Sequence, residues 1–465
     1  MVYRGAMTSP DTAASPRPKP LVARRPAGPL AGAITVPGDK SISHRALMFA
    51  ALAIGETRIK GLLEGEDVLR TAAAMQALGA TISRDDAQGE GADWLVAGRG
   101  VGGLAEPGDV LDMGNSGTAA RLLAGVLAAH PFLSVMTGDA SLRRRPMRRV
   151  TDLLVHGGAT FLSREGGRLP LAIRGPAEPM PLAVTTPVPS AQVKSALLLF
   201  GLHAPGVSVV EEKEATRDHT EAMLRHFGAH VAVEEVGAGR RIALRGQPEL
   251  FARDVSVPGD PSSAAFPLVA ALLVPGSRVT IRDLGLNPLR TGLLTTLMEM
   301  GADIAVANRR EQGGEAVGDL VASHAALRGV DVPYERAPSM IDEYPVLAVA
   351  AAFAHGTTRM RGLAELRVKE SDRLAATAAL LAANGARVEI EGDDLLVHGS
   401  GRPPAGGGMV ETHMDHRLAM SALVLGLAAE APVAVDDTSF IDTSFPGFVG
   451  LMNGLAGETP ALVAP

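Results

Sequence analysis

The chain has 465 residues, 46% apolar and 20% charged, with a formal net charge of −7. That length exceeds one ordinary core and predicts two large lobes or about three smaller domains, while the acidic balance argues against general affinity for nucleic acid or acidic membranes. Cysteine is absent and aromatics make up only 3%, which excludes disulfides, thiolate metal sites and a cysteine nucleophile and leaves Ala, Val, Leu, Ile and Met to build the core.

Residues 1–30 carry Pro, Ser, Ala and Arg, a single acidic residue (Asp11) and no apolar run of signal-peptide type, so a secretory signal is not expected. The composition predicts a disordered N-terminal extension; an Arg- and Ser-rich, acid-poor start also suits an organelle transit peptide. At Val36 the stretch "VPGDKSISHR" opens a helical pattern, with Ser41 or Ser43 available as N-cap. Its first turn offers backbone N–H groups, a hydroxyl, Lys40 and, one turn on, Arg45, a set suited to phosphate or carboxylate. It is not a Walker A loop, because the glycine spacing differs and an Asp directly precedes the Lys. The rival reading is a plain surface helix.

Further along, "LDMGNSGTAARLLAGVLA" from Leu111 sets a Gly-rich turn before a helix, with Arg121 one turn in. "GDASLRRRPMRRV" carries five arginines between Arg143 and Arg149. Such a cluster suits a solvated face or a nucleic-acid backbone, but few aromatics are at hand for bases to stack on. Pro146 holds Arg145 in an extended or turn geometry. "PVPSAQVKSALLL" from Pro187 places Ser190 and Gln192 at a third helix start, and "VPGDPSSAAF" from Val257 repeats the opening tetrapeptide. The longest apolar runs, such as "YPVLAVAAAFA" from Tyr344, are too short to span a bilayer. "LRVKESDRLAA" from Leu366 brings Lys369, Glu370 and Arg373 together, and "HMDHRLAM" from His413 sets two histidines three apart. A metal site needs a third ligand in fixed geometry, and no partner cluster accompanies His413 and His416. No metal is predicted.

One ending recurs along the chain: "MQALGATI", "LLVHGGATF", "LRHFGAHV", "LMEMGADI", "LLAANGARVEI" and a degraded "LMNGLAG". Each reads as a last helical turn, a glycine cap, a small residue and a strand opening. Successive glycines lie about 70 to 84 residues apart, too far for a solenoid repeat and suited to a compact α/β unit. Three endings lie between the two VPGD stretches and three follow the second. The expectation is two similar lobes of three α/β units each, with a hinge-like crossing at each VPGD.

The ordered motifs "VPGDKSISHR", "GNSGTAAR", "RRPM", "PSAQVKSALLL", "TRDHTE", "SMIDEYP", "LRVKESDRL" and "DHRLAMS" together resemble the 5-enolpyruvylshikimate-3-phosphate synthase family, from about Leu30 to about Leu455. The run "APSMIDEYPVLAVAAAFA" is similar to the bacterial subgroup that includes glyphosate-tolerant enzymes. The resemblance implies an α/β inverse-barrel enolpyruvyl transferase fold of two lobes, each of three βαβαββ units. One lobe would span 39–258, the other 31–38 plus 259–465, after a disordered 1–30. It implies transfer of the enolpyruvyl group of phosphoenolpyruvate to the 5-hydroxyl of shikimate 3-phosphate, with release of phosphate, in aromatic amino-acid biosynthesis. No cofactor is implied, the partners are the two small substrates alone, and the enzyme would be a cytoplasmic monomer.

By the same resemblance shikimate 3-phosphate would be held by Lys40, Ser41, Arg45, Ser190, Ala191, Gln192, Arg217, Asp342 and Lys369. Phosphoenolpyruvate would be held by Lys40, Gly117, Arg145, Gln192, Arg373 and Arg417. Asp342 matches the general base and Glu370 the proton donor, with Lys40 as a third catalytic group. The residue types suit the task. Two phosphates and two carboxylates repel one another, and Lys and Arg groups offset this, guanidinium forks fitting both anion types. Neighbouring cations would lower the pKa of Asp342, and burial would raise that of Glu370. Two departures stand out. "IDTSFPGF" has Asp442 and Thr443 where some members carry a lysine, and Gly117 stands where tolerant members carry alanine. Ordinary sensitivity to glyphosate is therefore expected. Rival readings are the sister transferase acting on a UDP-sugar, which usually relies on a loop cysteine absent here, an RNA-binding protein using the arginine cluster, and a catalytically dead binding module.

Overall fold

The computed structural model describes residues 18–86 and 92–465; the part of the expected disordered extension at 1–17 lies outside them. The described residues form six four-stranded sheets. Each pairs a short edge strand parallel to the next strand and antiparallel pairs beyond it, as in Leu111–Asp112, Leu133–Thr137, Arg168–Arg174 and Thr160–Arg164. Strands alternate buried and solvated residues, as Arg168–Arg174 does, so each sheet turns one face inward.

Against the inner faces lie six long helices: α1 (Lys40–Leu52), α2 (Gly117–Leu127), α3 (Ala191–Gly201), α4 (Pro261–Leu273), α5 (Tyr344–Phe353) and α6 (His416–Gly426). Their sequences are apolar on nearly every side, and beyond the first turn they are almost wholly buried. A helix without a polar face must sit inside a core. Two apolar cores result: one runs from Ile42 to Val257, the other joins Ala23, Leu30 and Val36 to residues from Ala264 to Leu462.

The six recurrent glycines, Gly79, Gly158, Gly228, Gly301, Gly385 and Gly457, all take positive φ, between 80° and 103°. Four of the endings close with the N–H of the following alanine on the carbonyl five residues back: Ala80 on Met75, Ala229 on Leu224, Ala302 on Leu297 and Ala386 on Leu381. That bond requires the left-handed turn that only glycine adopts without cost.

The VPGD stretches lie side by side and antiparallel. Gly38 bridges Gly259, the Asp39 N–H donates to the Pro258 carbonyl (2.8 Å), and the Asp260 N–H to the Pro37 carbonyl (2.9 Å). A Cβ on Gly38 would overlap the Gly61 carbonyl oxygen, so the close approach depends on glycine. Each stretch also hands its preceding strand to the opposite core. Ala31–Thr35 pairs with Arg278–Gly285, and Val255–Ser256 with Glu56–Lys60.

The structure corrects two expectations. Residues 18–30 are not all extension, because Leu21–Ala23 is a strand between Val433–Val435 and Leu462–Val463 and completes the sixth sheet. Its short apolar run gains partners more than 400 residues away, which local composition does not reveal. The N-cap of α1 is Asp39, accepting from the Ile42 N–H (2.9 Å), while the Ser43 hydroxyl accepts from the Leu63 N–H (3.0 Å).

His130 and His203 pack edge to face with centroids 4.7 Å apart, each donating Nδ1–H to a carbonyl one helical turn back. Burial lowers both pKa values, His203 to about 3 with the neighbouring His130 adding to the effect. Their folded values are depressed, so the unfolded chain binds protons first and stability falls as pH drops below the ordinary histidine value. In urea unfolding, His203→Gln should reduce the stability lost between pH 7 and pH 5 by about 2 kcal/mol; an unchanged loss contradicts this.

Candidate active site

The N-terminal turns of the long helices converge on one cavity of about 450 Å³ between the two cores. Lys40, Ser41 and Arg45 come from α1, Gly117 and Arg121 from α2, Ser190, Ala191 and Gln192 from the start of α3, Ser262 from α4 and Arg417 from α6. Helix N-termini present free N–H groups and a partial positive charge. Several of these ends carry their own cap: the Ser116 hydroxyl accepts from Ala119 N–H, Asp260 from Ser262 N–H and Asp415 from Arg417 N–H. Ser190 makes no such bond, which leaves its hydroxyl available to the cavity.

Every residue that the resemblance assigns to catalysis or substrate binding lines this cavity: Lys40, Ser41, Arg45, Gly117, Arg145, Ser190, Ala191, Gln192, Arg217, Asp342, Lys369, Glu370, Arg373 and Arg417. Residues before Asp260 face residues after it. Asp342 accepts from Arg217 Nη2 (2.9 Å) across the cleft and from Arg373 Nη1 (3.2 Å) on its own side, with Lys369 Nζ at 3.5 Å. Arg417 Nη1 donates to the Asp342 carbonyl (3.3 Å). Glu370 pairs with Arg373 and, across the cleft, with Arg145 (3.4 Å). Lys40 Nζ pairs with Asp67 (3.0 Å).

Burial pushes the Asp342 carboxyl up, but Lys369, Arg417, Arg217 and Arg373 outweigh it and hold the group well below the usual carboxylate range. Glu370 departs from expectation. Burial does raise it, yet Arg373 and Arg145, with Lys40 adding to them, bring it well below the ordinary glutamate value. At neutral pH both carboxylates are therefore anions, because each is the counter-ion of the cations around it. His416 is held neutral by burial and by the charges of Lys40 and Arg417. Among the described residues no group of three or more potential metal ligands comes together.

Arg45 departs in a different way. Its guanidinium is already committed, Nε to Thr220 (2.7 Å), Nη2 to Ser195 (2.6 Å) and Nη1 to the Ser41 carbonyl (2.8 Å). It shapes the wall of the site as much as it faces it.

Two further arginines of the site, Arg121 and Arg290, are given no role by the sequence, although Arg121 is noted at its helix start. Arg121 Nη1 donates to Gln192 Oε1 (2.7 Å), and Gln192 Nε2 to Thr118 (2.9 Å), so the amide is oriented from both ends. Burial, with Arg149 and Arg145 nearby, pushes Arg121 down to about 9, leaving a cation short of negative neighbours. The signal was present: Arg121 sits four residues after Gly117, on the same helix face. Arg290 had no such signal. It lies 2% exposed, with Nη2 donating to Asp260 (2.7 Å), Asp39 (3.3 Å) and Ser262 (3.1 Å), and Nη1 3.8 Å from Glu343. The carboxylates of both crossings and the residue after Asp342 thus share one guanidinium. Burial opposes this charge, but Asp39, Asp260 and Glu343 more than compensate and raise the Arg290 pKa.

Comparison with known proteins identifies the family and the fold. Residues 24–452 match the family model described as EPSP synthase (3-phosphoshikimate 1-carboxyvinyltransferase). A 3-phosphoshikimate 1-carboxyvinyltransferase of Granulibacter bethesdensis is 69% identical over 444 residues, covering 95% of this chain and 97% of the relative. One of Acidiphilium cryptum is 68% identical over 442 residues, covering 95% and 98%. Among solved structures, EPSP synthase from Acinetobacter baumannii superposes with a TM-score of 0.82 at 41% identity, over 96% of this chain and 99% of that one. The enolpyruvyl transferase NikO from Streptomyces tendae shares the fold, with a TM-score of 0.74 at 19% identity, over 94% and 98%.

Proposed function

The chain belongs to the EPSP synthase family, and we propose that the cavity between its two cores is the site of its chemistry. The protein is a 3-phosphoshikimate 1-carboxyvinyltransferase. It transfers the enolpyruvyl group of phosphoenolpyruvate to the 5-hydroxyl of shikimate 3-phosphate and releases phosphate, within aromatic amino-acid biosynthesis. The observation that carries the site reading is the convergence on Asp342 of Lys369, Arg217, Arg373 and Arg417, drawn from both sides of one cleft.

The ion pairs of the cleft point to how substrates enter it. Ser190, Ala191, Gln192 and Arg217 receive shikimate 3-phosphate, with Lys40, Ser41 and Lys369 beside its reacting hydroxyl and Arg45 behind Ser41. Arg145, Arg373, Arg417, Lys40, Gln192 and the Gly117 backbone receive phosphoenolpyruvate. Each incoming anion takes over a cation that a protein carboxylate now holds. As Arg145 and Arg373 turn to phosphoenolpyruvate, Glu370 loses its counter-ions and gains negative neighbours. Both changes raise its pKa, so it takes up a proton and becomes the donor. Asp342 keeps Lys369 and stays ionised as the base.

The chemical step then balances. The 5-hydroxyl oxygen bonds to the phosphate-bearing carbon as Glu370 protonates the methylene carbon and Asp342 accepts the hydroxyl proton. The tetrahedral adduct next expels phosphate and returns a methyl proton to the protein, regenerating the enol double bond. General acid–base assistance of this type contributes ~10²–10⁴-fold in rate. The two halves, 39–258 and 21–38 with 259–465, act as lobes about the paired VPGD crossings, closing to exclude water around the adduct. We propose further that the enzyme works as a cytoplasmic monomer on small molecules alone; its acidic net charge weighs against nucleic-acid partners, and among the described residues no helix is long and apolar enough to cross a membrane.

Glyphosate sensitivity turns on Gly117. A Cβ there would sit 2.8 Å from Arg121 Nη1 and 3.0 Å from Arg145 Nη1, crowding the two guanidiniums on the phosphoenolpyruvate side. The subgroup likeness notwithstanding, the glycine supports ordinary sensitivity. Glyphosate should compete with phosphoenolpyruvate, and Gly117→Ala should raise its inhibition constant about tenfold or more, near 1.4 kcal/mol; a wild type as resistant as the variant contradicts this.

Phosphate release with both substrates tests the assignment of the chemistry. Asp342→Ala and Lys40→Met should each lower kcat by about 10²-fold or more. Activity surviving both substitutions would remove these residues from the reaction.

A further inference from the structure

Behind the cavity wall, the motifs "PSAQVKSALLL" and "TRDHTE" meet through a lysine that does not line the cavity. Lys194 lies one turn into α3, its N–H donating to the Ser190 carbonyl (3.1 Å), and its side chain is 0% exposed. The ammonium donates to Glu212 Oε1 (3.1 Å) and to the Thr216 carbonyl (3.2 Å), and stands 2.8 Å from Glu221 Oε1. Its three N–H bonds thus have three partners at hand. Glu212 in turn accepts from the Thr216 N–H (3.0 Å) and hydroxyl (2.7 Å). Every polar group of Thr216 is therefore held by one buried ion pair.

The next residue is Arg217. It sits in the irregular stretch 213–218, between the strand Val207–Glu212 and the helix His219–His226. Such a stretch has no ladder or helix of its own to fix it, and here a charge on α3 does so. Charge balance agrees. Glu212 and Glu221 both face Lys194, and among the described residues neither oxygen of Glu221 has a hydrogen-bond partner. The second cation is Arg45, whose guanidinium bonds Ser195 and Thr220, the chain neighbours of Lys194 and Glu221. Burial pushes Arg45 down to about 10, with the charge of Glu221 first among those opposing it. Two cations and two anions complete the set, and a buried charge that loses its partner is strongly destabilising.

We infer that Lys194 is a positioning residue, which fixes Thr216, and with it Arg217, to the turn of α3 that carries Ser190, Ala191 and Gln192. The two grips proposed for shikimate 3-phosphate then form one preorganised unit, which lowers the ordering cost of binding. Every member lies within 39–258, so the set leaves lobe closure free. The effect falls on shikimate 3-phosphate, because Arg145, Arg373 and Arg417 stand on other elements. This inference rests on the proposed reading that Ser190–Gln192 and Arg217 hold that substrate.

Lys194→Met combined with Glu221→Gln removes one charge of each sign and strands none, and a single cooperative urea transition verifies folding. By calorimetry the paired change should raise the Kd of shikimate 3-phosphate about tenfold, while the KM for phosphoenolpyruvate moves less than about threefold. In an Arg217→Gln background it should add less than about twofold, because the residue it positions is gone. Thr216→Val, which keeps all four charges, should raise the same Kd about threefold. Unchanged binding, an equal loss for both substrates, or a tenfold loss that persists without Arg217 would overturn the inference. Should Arg217→Gln alone leave shikimate 3-phosphate binding unaltered, the site reading fails instead. Amide exchange in the substrate-free protein then decides the positioning role by itself: the paired change should quicken it at residues 213–218, and unchanged exchange there would overturn the role.

Discussion

One buried guanidinium ties the two halves of this molecule together. Arg290 meets Asp39 of the first crossing, Asp260 of the second and Glu343 beside Asp342. Three carboxylates at one point repel one another, and burial makes that repulsion costly. Asp39 is nevertheless held down to about 2, burial opposing and Arg290 prevailing, while Asp260 is raised by burial and by Asp39 itself. The Asp39 and Asp260 carboxylates also cap α1 and α4. The same ionic knot therefore sets the start of each helix and the angle between the cores. A helix end that carries Lys40 and a segment that carries Asp342 both answer to it.

From that knot the chemistry of the cleft follows as a matter of charge balance. A surplus of unpaired cations would be expensive in a cleft whose charged groups are so largely buried. The protein satisfies them with its own carboxylates: Asp67 for Lys40, Asp342 for Arg217 and Lys369, Glu370 for Arg145 and Arg373. On the proposed reading, anionic substrates enter by exchange rather than into bare positive charge. Exchange would then have a chemical use, because the displaced carboxylates are the proposed acid and base. The low pKa of Glu370 beside its cations and its proposed role as a donor beside bound anions are two sides of a single electrostatic arrangement.

Much of this was legible in the sequence. The recurrent glycines marked helix ends because the left-handed cap leaves one residue type little competition, and Gly79, Gly228, Gly301 and Gly385 sit where that reasoning put them. The residues at helix starts were legible because short motifs carry their own geometry: a small residue, a hydroxyl and a cation one turn on. What escaped lacks local meaning. Leu21–Ala23 pairs with strands near the other end of the chain, and Arg290 acquires its role only when three distant carboxylates surround it. The cap of α1 was misplaced because Ser41 and Ser43 compete on paper with Asp39, and only the fold shows Ser43 occupied by Leu63. Nor could composition give the direction of the Glu370 shift, which depends on how many cations outvote burial.

The central claim is that substrate anions replace protein carboxylates as partners of the cleft cations. A crystal structure with shikimate 3-phosphate and a non-reacting phosphoenolpyruvate analogue tests it directly. The account predicts phosphate oxygens on Arg217 and analogue oxygens on Arg145 and Arg373, with Arg217 withdrawn from Asp342 and Arg145 from Glu370. Ligands bound elsewhere, or bound here with both of those ion pairs intact, would contradict it.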